Sequence, residues 1–173
     1  AVDTESDALS ASIKPSFIAL YEPDGAEDIL FICDYSFAKI RMVKQGKLST
    51  FINEISCNSL LVDGDTLYIV WVREISKINI KEMLKQPLPL TFIGENTPGF
   101  TRFAGSINAG FSGDGGPAKD ALFSDALRTI KKDSENNFYV LDGLNGRVRK
   151  ITKNIQGIDI ITTIAGSNTF SGD

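Results

Sequence analysis

The sequence predicts an all-β fold, a β-propeller with about three four-stranded blades, and three observations carry that prediction. One four-strand unit recurs three times in 173 residues, its second strand is a nearly continuous apolar run, and polar turns punctuate the strands. A strand with one wet face alternates apolar and polar side chains. Phe138-Tyr139-Val140-Leu141 does not, so the run calls for cover on both faces. Equal sheets stacked face to face around an axis, about 10 Å apart, supply that cover.

The repeat rests on an ungapped alignment. NNFYVLDGLNGRVRKI (Asn136 to Ile151) sets over DILFICDYSFAKIRMV (Asp28 to Val43), which places Asp142 on Asp34 and Arg147-Val148-Arg149 on Lys39-Ile40-Arg41. A weaker copy, Thr66 to Ile80, keeps the apolar run but has Trp71 where the others have Asp. Each run follows a strand, Phe17 to Tyr21, Ser59 to Val62 or Leu127 to Lys131. It is entered through a turn rich in Asp, Gly and Asn: Glu22-Pro23-Asp24-Gly25, Asp63-Gly64-Asp65 or Asp133-Ser134-Glu135-Asn136. The trailing strands are Lys47 to Ile52, Gly99 to Gly105 and Ile160 to Gly166. The units therefore run over about 17–52, 59–105 and 127–166, with one short helix expected over Ile80 to Lys85.

The stretches 104–126 and 165–173 read as connections between blades, and they share a glycine-rich text. AGSINAGFSGDGG begins at Ala104, and AGSNTFSGD begins at Ala165. Phe111, Gly113, Asp114 and Gly116 lie in a segment with three glycines and a proline, which predicts a tightly turned staple with Phe111 set against a blade. A cation on Asp114 is the sharper alternative, but one acid falls short of the several oxygens calcium takes. The second copy stops before its Gly-Gly-Pro. Since closed propellers take about 4 to 8 blades, the expectation is a piece of a larger, about six-bladed ring, or an arc that associates with a second copy to complete one.

Composition narrows the chemistry. The chain has no histidine, which removes Ser-His-Asp and Cys-His catalysis and histidine-ligated zinc, and no catalytic set or cofactor site is assembled in the sequence. The formal charge of -4 disfavours a nucleic-acid partner, although Lys131, Lys132, Arg147, Arg149, Lys150 and Lys153 cluster in sequence. Apolar runs are too short for a membrane helix, and no targeting segment is visible. Cys33 and Cys57 read as small buried side chains in preference to a disulfide.

DSENNFYVLDGLNGRVRKI (Asp133 to Ile151) resembles the NHL repeat, with Asp133, Asn137, Tyr139, Val140, Asp142, Asn145 and Arg147 on its pattern and Asn136 where glycine is usual. AGFSGDGGPA (Ala109 to Ala118) resembles the long inter-blade loop of the bacterial and teneurin-like branch of these propellers. The likeness is strong over Ala104 to Asp173, moderate over Phe17 to Ile52 and weak between, and Phe37 replaces the Asn in the first unit. It implies an extracellular or cell-surface setting and a structural role for the repeat residues. From the residues, Asp142 is expected to cap backbone N–H groups of the DGLNGR turn, Asn145 or Gly146 to take positive φ, and Arg147 to pair with a carboxylate. The function expected is a non-catalytic scaffold that holds a protein or glycan partner on its loops, among them Lys81 to Leu90 and Phe92 to Thr97. The alternative is a fragment of a propeller enzyme, a metal-dependent lyase or lactone hydrolase, whose catalytic residues lie elsewhere.

Overall fold

The computed structural model describes residues 6–91, 97 and 99–167. The second glycine-rich copy, Phe170 to Asp173, and most of the predicted loop Phe92 to Thr97 lie outside the described residues. The strands are β1 (Ser6–Asp7), β2 (Pro15–Tyr21), β3 (Ile29–Asp34), β4 (Lys39–Lys44), β5 (Lys47–Asn53), β6 (Cys57–Asp63), β7 (Thr66–Trp71) and β8 (Glu74–Asn79). A one-turn helix, α1 (Ile80–Met83), follows, capped by the Asn79 side chain on the Glu82 N–H. The chain continues through β9 (Leu90–Thr91), β10 (Thr101–Gly105), β11 (Leu127–Lys132), β12 (Phe138–Asp142), β13 (Arg147–Lys153) and β14 (Asp159–Ala165).

Three antiparallel sheets result, and they are propeller blades. The first runs β5-β4-β3-β2, the second β10-β8-β7-β6 and the third β11-β12-β13-β14. The first carries two additions that the sequence pattern did not announce: β1 pairs antiparallel and β9 parallel with β5. Both occupy backbone groups of the outer strand, which would otherwise present an unpaired edge.

The chain divides into two compact units, 1–71 with 76–101, and 72–75 with 102–173. In the first, the core lies between the first sheet and β6–β8. Phe31, Ile40, Phe51 and Ile52 share one apolar cluster with Leu60, Leu67, Ile69 and Ile78, and the Phe31 and Phe51 rings lie 4.9 Å apart. Strands β3 and β7 are covered on both faces, as a continuous apolar run requires. In the second unit, Phe103 packs edge-on against Phe138 at 4.9 Å over a core that includes Phe123, Val140, Ile151 and Ile161.

Two expectations are corrected. Strand β12 alternates, with Phe138, Val140 and Asp142 buried and Leu141 41% exposed, so its apolar run has only one covered face among the described residues. The cysteines are not separate buried thiols: Cys33 and Cys57 form a disulfide. The stacking of β3 beside β6 brings them together across a sequence separation of 24, and the sequence gave no sign of it.

The shared Ala-Gly that opens each glycine-rich stretch now has a physical reason. Gly105 and Gly166 close the outer strands of their blades with φ of +87° and +90°. A Cβ at Gly105 would stand 2.2 Å from the Arg73 carbonyl oxygen, and one at Gly166 would stand 1.9 Å from that of Gly146. Each outer strand thus ends against the turn joining the second and third strands of its own blade, at a distance only glycine permits. Gly105→Ala is expected to cost more than the roughly 1–2 kcal/mol of the left-handed conformation alone, because the turn must also shift; urea unfolding measures it, and a cost under about 0.5 kcal/mol would contradict the packing.

Candidate functional site

The residues singled out by the repeat meet at one end of the third blade, where the β12–β13 turn, the segment before β11 and the glycine-rich loop converge. Asp142 is fully buried, as is Arg149, two residues beyond the first residue of β13. Asp142 Oδ1 accepts the Ser124 N–H at 2.9 Å, and its Oδ2 accepts the Asn145 side-chain amide at 2.8 Å. Asp142 therefore holds the chain entering its blade, not the N–H groups of its own turn as expected. In that turn Gly146 takes the positive φ, +59°. Asn145 is left to donate to the Gly110 carbonyl at 2.7 Å.

Arg149 is the residue that sequence reasoning passed over. Its Nη2 donates to the Ser112 carbonyl at 3.0 Å and to Asp114 Oδ1 at 2.8 Å, while Nη1 lies 3.6 Å from Asp142 Oδ2. The guanidinium also sits 4.9 Å from the centre of the Phe111 ring, and that of Arg147 lies over the same ring at 3.8 Å. Arg147, expected to take a carboxylate, donates to the Asn145 carbonyl at 2.7 Å. Asp114, the weak cation candidate, gives an oxygen to Arg149 instead. Among the described residues no group of three or more acidic, cysteine or histidine side chains is placed to hold a metal.

The loop is fastened to the blade by its backbone as well. Gly115 donates to the Ile161 carbonyl at 2.8 Å, and Ile161 donates to the Gly116 carbonyl at 3.1 Å, so the loop borders the outer strand β14. Gly113 has φ +93°, and a Cβ there would meet Ala121 Cα at 2.7 Å.

The alignment with Asp34 and Arg41 holds in three dimensions. Asp34 Oδ1 accepts the Lys14 N–H at 3.0 Å, its Oδ2 takes Arg41 Nε at 3.3 Å, and Arg41 donates to Thr50. Counting from the ends of β7 and β12, Trp71 and Ser76 occupy the positions of Asp142 and Arg149, and Trp71 Nε1 donates to Ser76 Oγ at 3.1 Å. The middle blade thus bonds the same two positions without charge.

Asp133 and Asn137 make a separate knot at the β11–β12 turn. Asp133 accepts the Glu135 and Asn137 N–H groups, the Asn137 amide and the Tyr139 hydroxyl, all at 2.8–2.9 Å. Asn136 takes φ +66°, which explains an Asn where the repeat prefers glycine. These donors, the Asn137 side chain foremost, lower the Asp133 carboxyl from 3.8 to about 2.

Among the described residues, the recesses of the first unit include a polar one and a mostly apolar one. In the polar one, of about 270 Å³, Asp65 accepts the Tyr21 hydroxyl at 2.8 Å and pairs with Lys81 at 2.9 Å. The Lys81 bond first, then the Tyr21 bond, lowers the Asp65 carboxyl, while burial and then Asp65 raise the Tyr21 phenol. A mostly apolar cleft of about 470 Å³ is lined by Met83, Pro87, Pro89 and Leu90. It lies on the expected loop Lys81 to Leu90. The basic run forms no single face: β13 alternates, so Arg149 points inward while Lys150 lies 5.5 Å from the Tyr139 ring on the other side.

Comparison with solved structures agrees on the blades. The chain superposes on an auxiliary nutrient binding protein from Bacteroides thetaiotaomicron with TM-score 0.55 and 18% identity, covering 86% of this chain and 35% of that one. For the extracellular domain of a putative one-component system from the same organism the TM-score is 0.56 and the identity 15%, over 92% and 20%. For virginiamycin B lyase from Staphylococcus aureus they are 0.52 and 11%, over 95% and 46%. The chain spans less than half the length of each. No protein-family model and no curated protein matches it. Likeness at this level establishes the fold: the chain folds as three blades of β-propeller type.

Two predictions follow from the geometry. Arg149→Met strands a buried carboxylate without its counter-ion and is expected to cost about 3–5 kcal/mol, whereas Asp114→Asn, at a 41% exposed carboxylate, should cost under about 1 kcal/mol. Equal costs in urea unfolding would refute the ranking. Because the folded carboxyl of Asp133 lies below its ordinary value, its contribution is complete above about pH 4 and is lost as pH falls toward 2. Melting midpoints measured between pH 5 and 2 should therefore fall less steeply for Asp133→Asn than for the unmodified chain.

Proposed function

We propose that this chain is a non-catalytic binding segment of an NHL-type propeller, and that the turns at one end of its second unit hold a protein partner. One observation carries the reading: exposed apolar side chains sit on turns bonded to a single segment, 124–127. Leu144 is 73% exposed on the β12–β13 turn, whose Leu144 N–H donates to Ser124 Oγ at 3.2 Å. Val72 is 38% exposed on the β7–β8 turn, and its carbonyl accepts the Leu127 N–H at 3.3 Å. Beside it, Arg73 pairs with Asp125 and donates to the carbonyl of Ile107, itself 62% exposed. Apolar groups on immobilised turns lose little entropy when a partner covers them, which is how contact surfaces gain affinity.

The charged residues of the repeat support this division. Asp142, Arg149, Asp114 and Asp133 are engaged in internal bonds, so binding falls to the turns around them. Two of the structural neighbours are described as an auxiliary nutrient binding protein and the extracellular domain of a putative one-component system, and a binding role outside the cell is consistent with both. The lyase lends its fold alone. The faces carrying Ile18 and Leu20 in the first blade and Leu141 and Ile164 in the third, all more than 40% exposed, belong in this reading to neighbouring blades of a longer chain or of a second copy.

Selection of a displayed random-peptide library against the chain tests the proposal. The expected outcome is enrichment of peptides with aromatic or aliphatic anchors whose binding drops about tenfold or more, roughly 1.4 kcal/mol, on Leu144→Asp or Ile107→Asp while the melting midpoint stays unchanged. No enrichment over an unrelated propeller, or binding indifferent to both substitutions, would refute it.

A further inference from the structure

The chain has two cysteines, and they come from different blades. Cys33 lies in β3 and Cys57 opens β6; both side chains are fully buried, with Cα atoms 5.5 Å apart, inside the range a disulfide spans. In the repeat, Cys33 stands where the third blade has Leu141, an apolar side chain on the face turned away from Arg149. The contact that the third blade would make with a hydrocarbon is made here by a covalent bond. Around it Phe31, Ile40, Ile52, Ile55, Leu60 and Ile69 form one cluster drawn from both sheets and the turn between them.

We infer that this bond is a permanent clamp between the first two blades, installed by a disulfide-bearing exchange oxidant, and that the protein folds in an oxidising compartment. The chemistry balances. Two thiols become one S–S bond, and the two electrons and two protons released reduce one disulfide of the oxidant to its dithiol. Reducing compartments hold such pairs as thiols, whereas small extracytoplasmic domains use them as staples.

Two features distinguish a clamp from a redox switch. A switch presents an accessible sulfur to the attacking thiolate, and both sulfurs here are enclosed. Reaching the bond means parting two sheets whose shared apolar cluster surrounds it, so reductant acts only on molecules already opened. The bond also closes a loop across a separation of 24 residues, which limits the unfolded chain and so favours the folded one. None of this depends on the binding role proposed above.

Alkylation read by mass spectrometry tests the inference on the chain secreted into the periplasm of a bacterial host. Unfolded in guanidinium with iodoacetamide and no reductant, it should take up no label, and two labels when dithiothreitol is added first. Folded, it should take up none even after hours in dithiothreitol. Two labels without reductant would show that the bond is absent and would overturn the inference. Rapid labelling of the folded, reduced chain would overturn the clamp. The same chain made in a reducing cytosol, and the double variant Cys33→Ala with Cys57→Ala, should both melt about 5–10 °C lower than the oxidised form; melting equal to it would also overturn the clamp.

Discussion

A guanidinium taken fully out of water needs acceptors, and the second unit gathers them around the two Nη groups of Arg149, although its Nε has no hydrogen-bond partner among the described residues. The partners of Arg149 come from two places in the chain: Asp142, an ion-pair partner at 3.6 Å, from the blade itself, and the acceptors Ser112 and Asp114 from the loop before it. Asp142 in turn holds Ser124, and Asn145 holds Gly110, so the incoming segment and the loop are bound by the same few polar atoms. Such a network stabilises only when its members are all present, because each group left over is a buried polar atom without water. A glycine-rich loop that would otherwise be mobile is thereby made part of the blade.

The three blades meet the same requirement with different chemistry. Asp34 with Arg41 and Thr50 repeats the charged solution, with a slightly open guanidinium. Trp71 with Ser76 replaces the charges by an indole N–H and a hydroxyl, a substitution that buries apolar area where the others bury an ion pair. A repeat can therefore lose its signature residue and keep its fold, provided the pair of positions remains mutually satisfied. This is why the middle copy is faint in sequence and plain in space.

These internal obligations also sort the surface. Charged side chains that look like chemistry in the sequence bond to one another, while Val72, Ile107 and Leu144, to which our proposal assigns the partner, are apolar and exposed on turns. Between the first two blades the same economy is reached by a different bond. The Cys33–Cys57 link joins the first two blades covalently.

The sequence by itself determined the all-β class, the three four-strand units, a short helix after β8 and the tight turning of the glycine-rich loop. Each of these depends on period-two patterning, turn chemistry or φ preference, which are local properties written in consecutive residues. Asn136 is a case in point: a residue that tolerates positive φ stands where the turn demands it. The tertiary structure decided that Arg149 and not Arg147 is the partner of Asp142, that Cys33 meets Cys57, that β1 and β9 join the first sheet, and that Gly105 and Gly166 close on turns of their own blades. Those pairings depend on which residues of distant segments face each other across a blade or a loop, and a one-residue change of register reverses the face. Alternation along β13 puts Arg147 and Arg149 on the same side, and only the path of the glycine-rich loop places Asp114 beside one and the Phe111 ring under both.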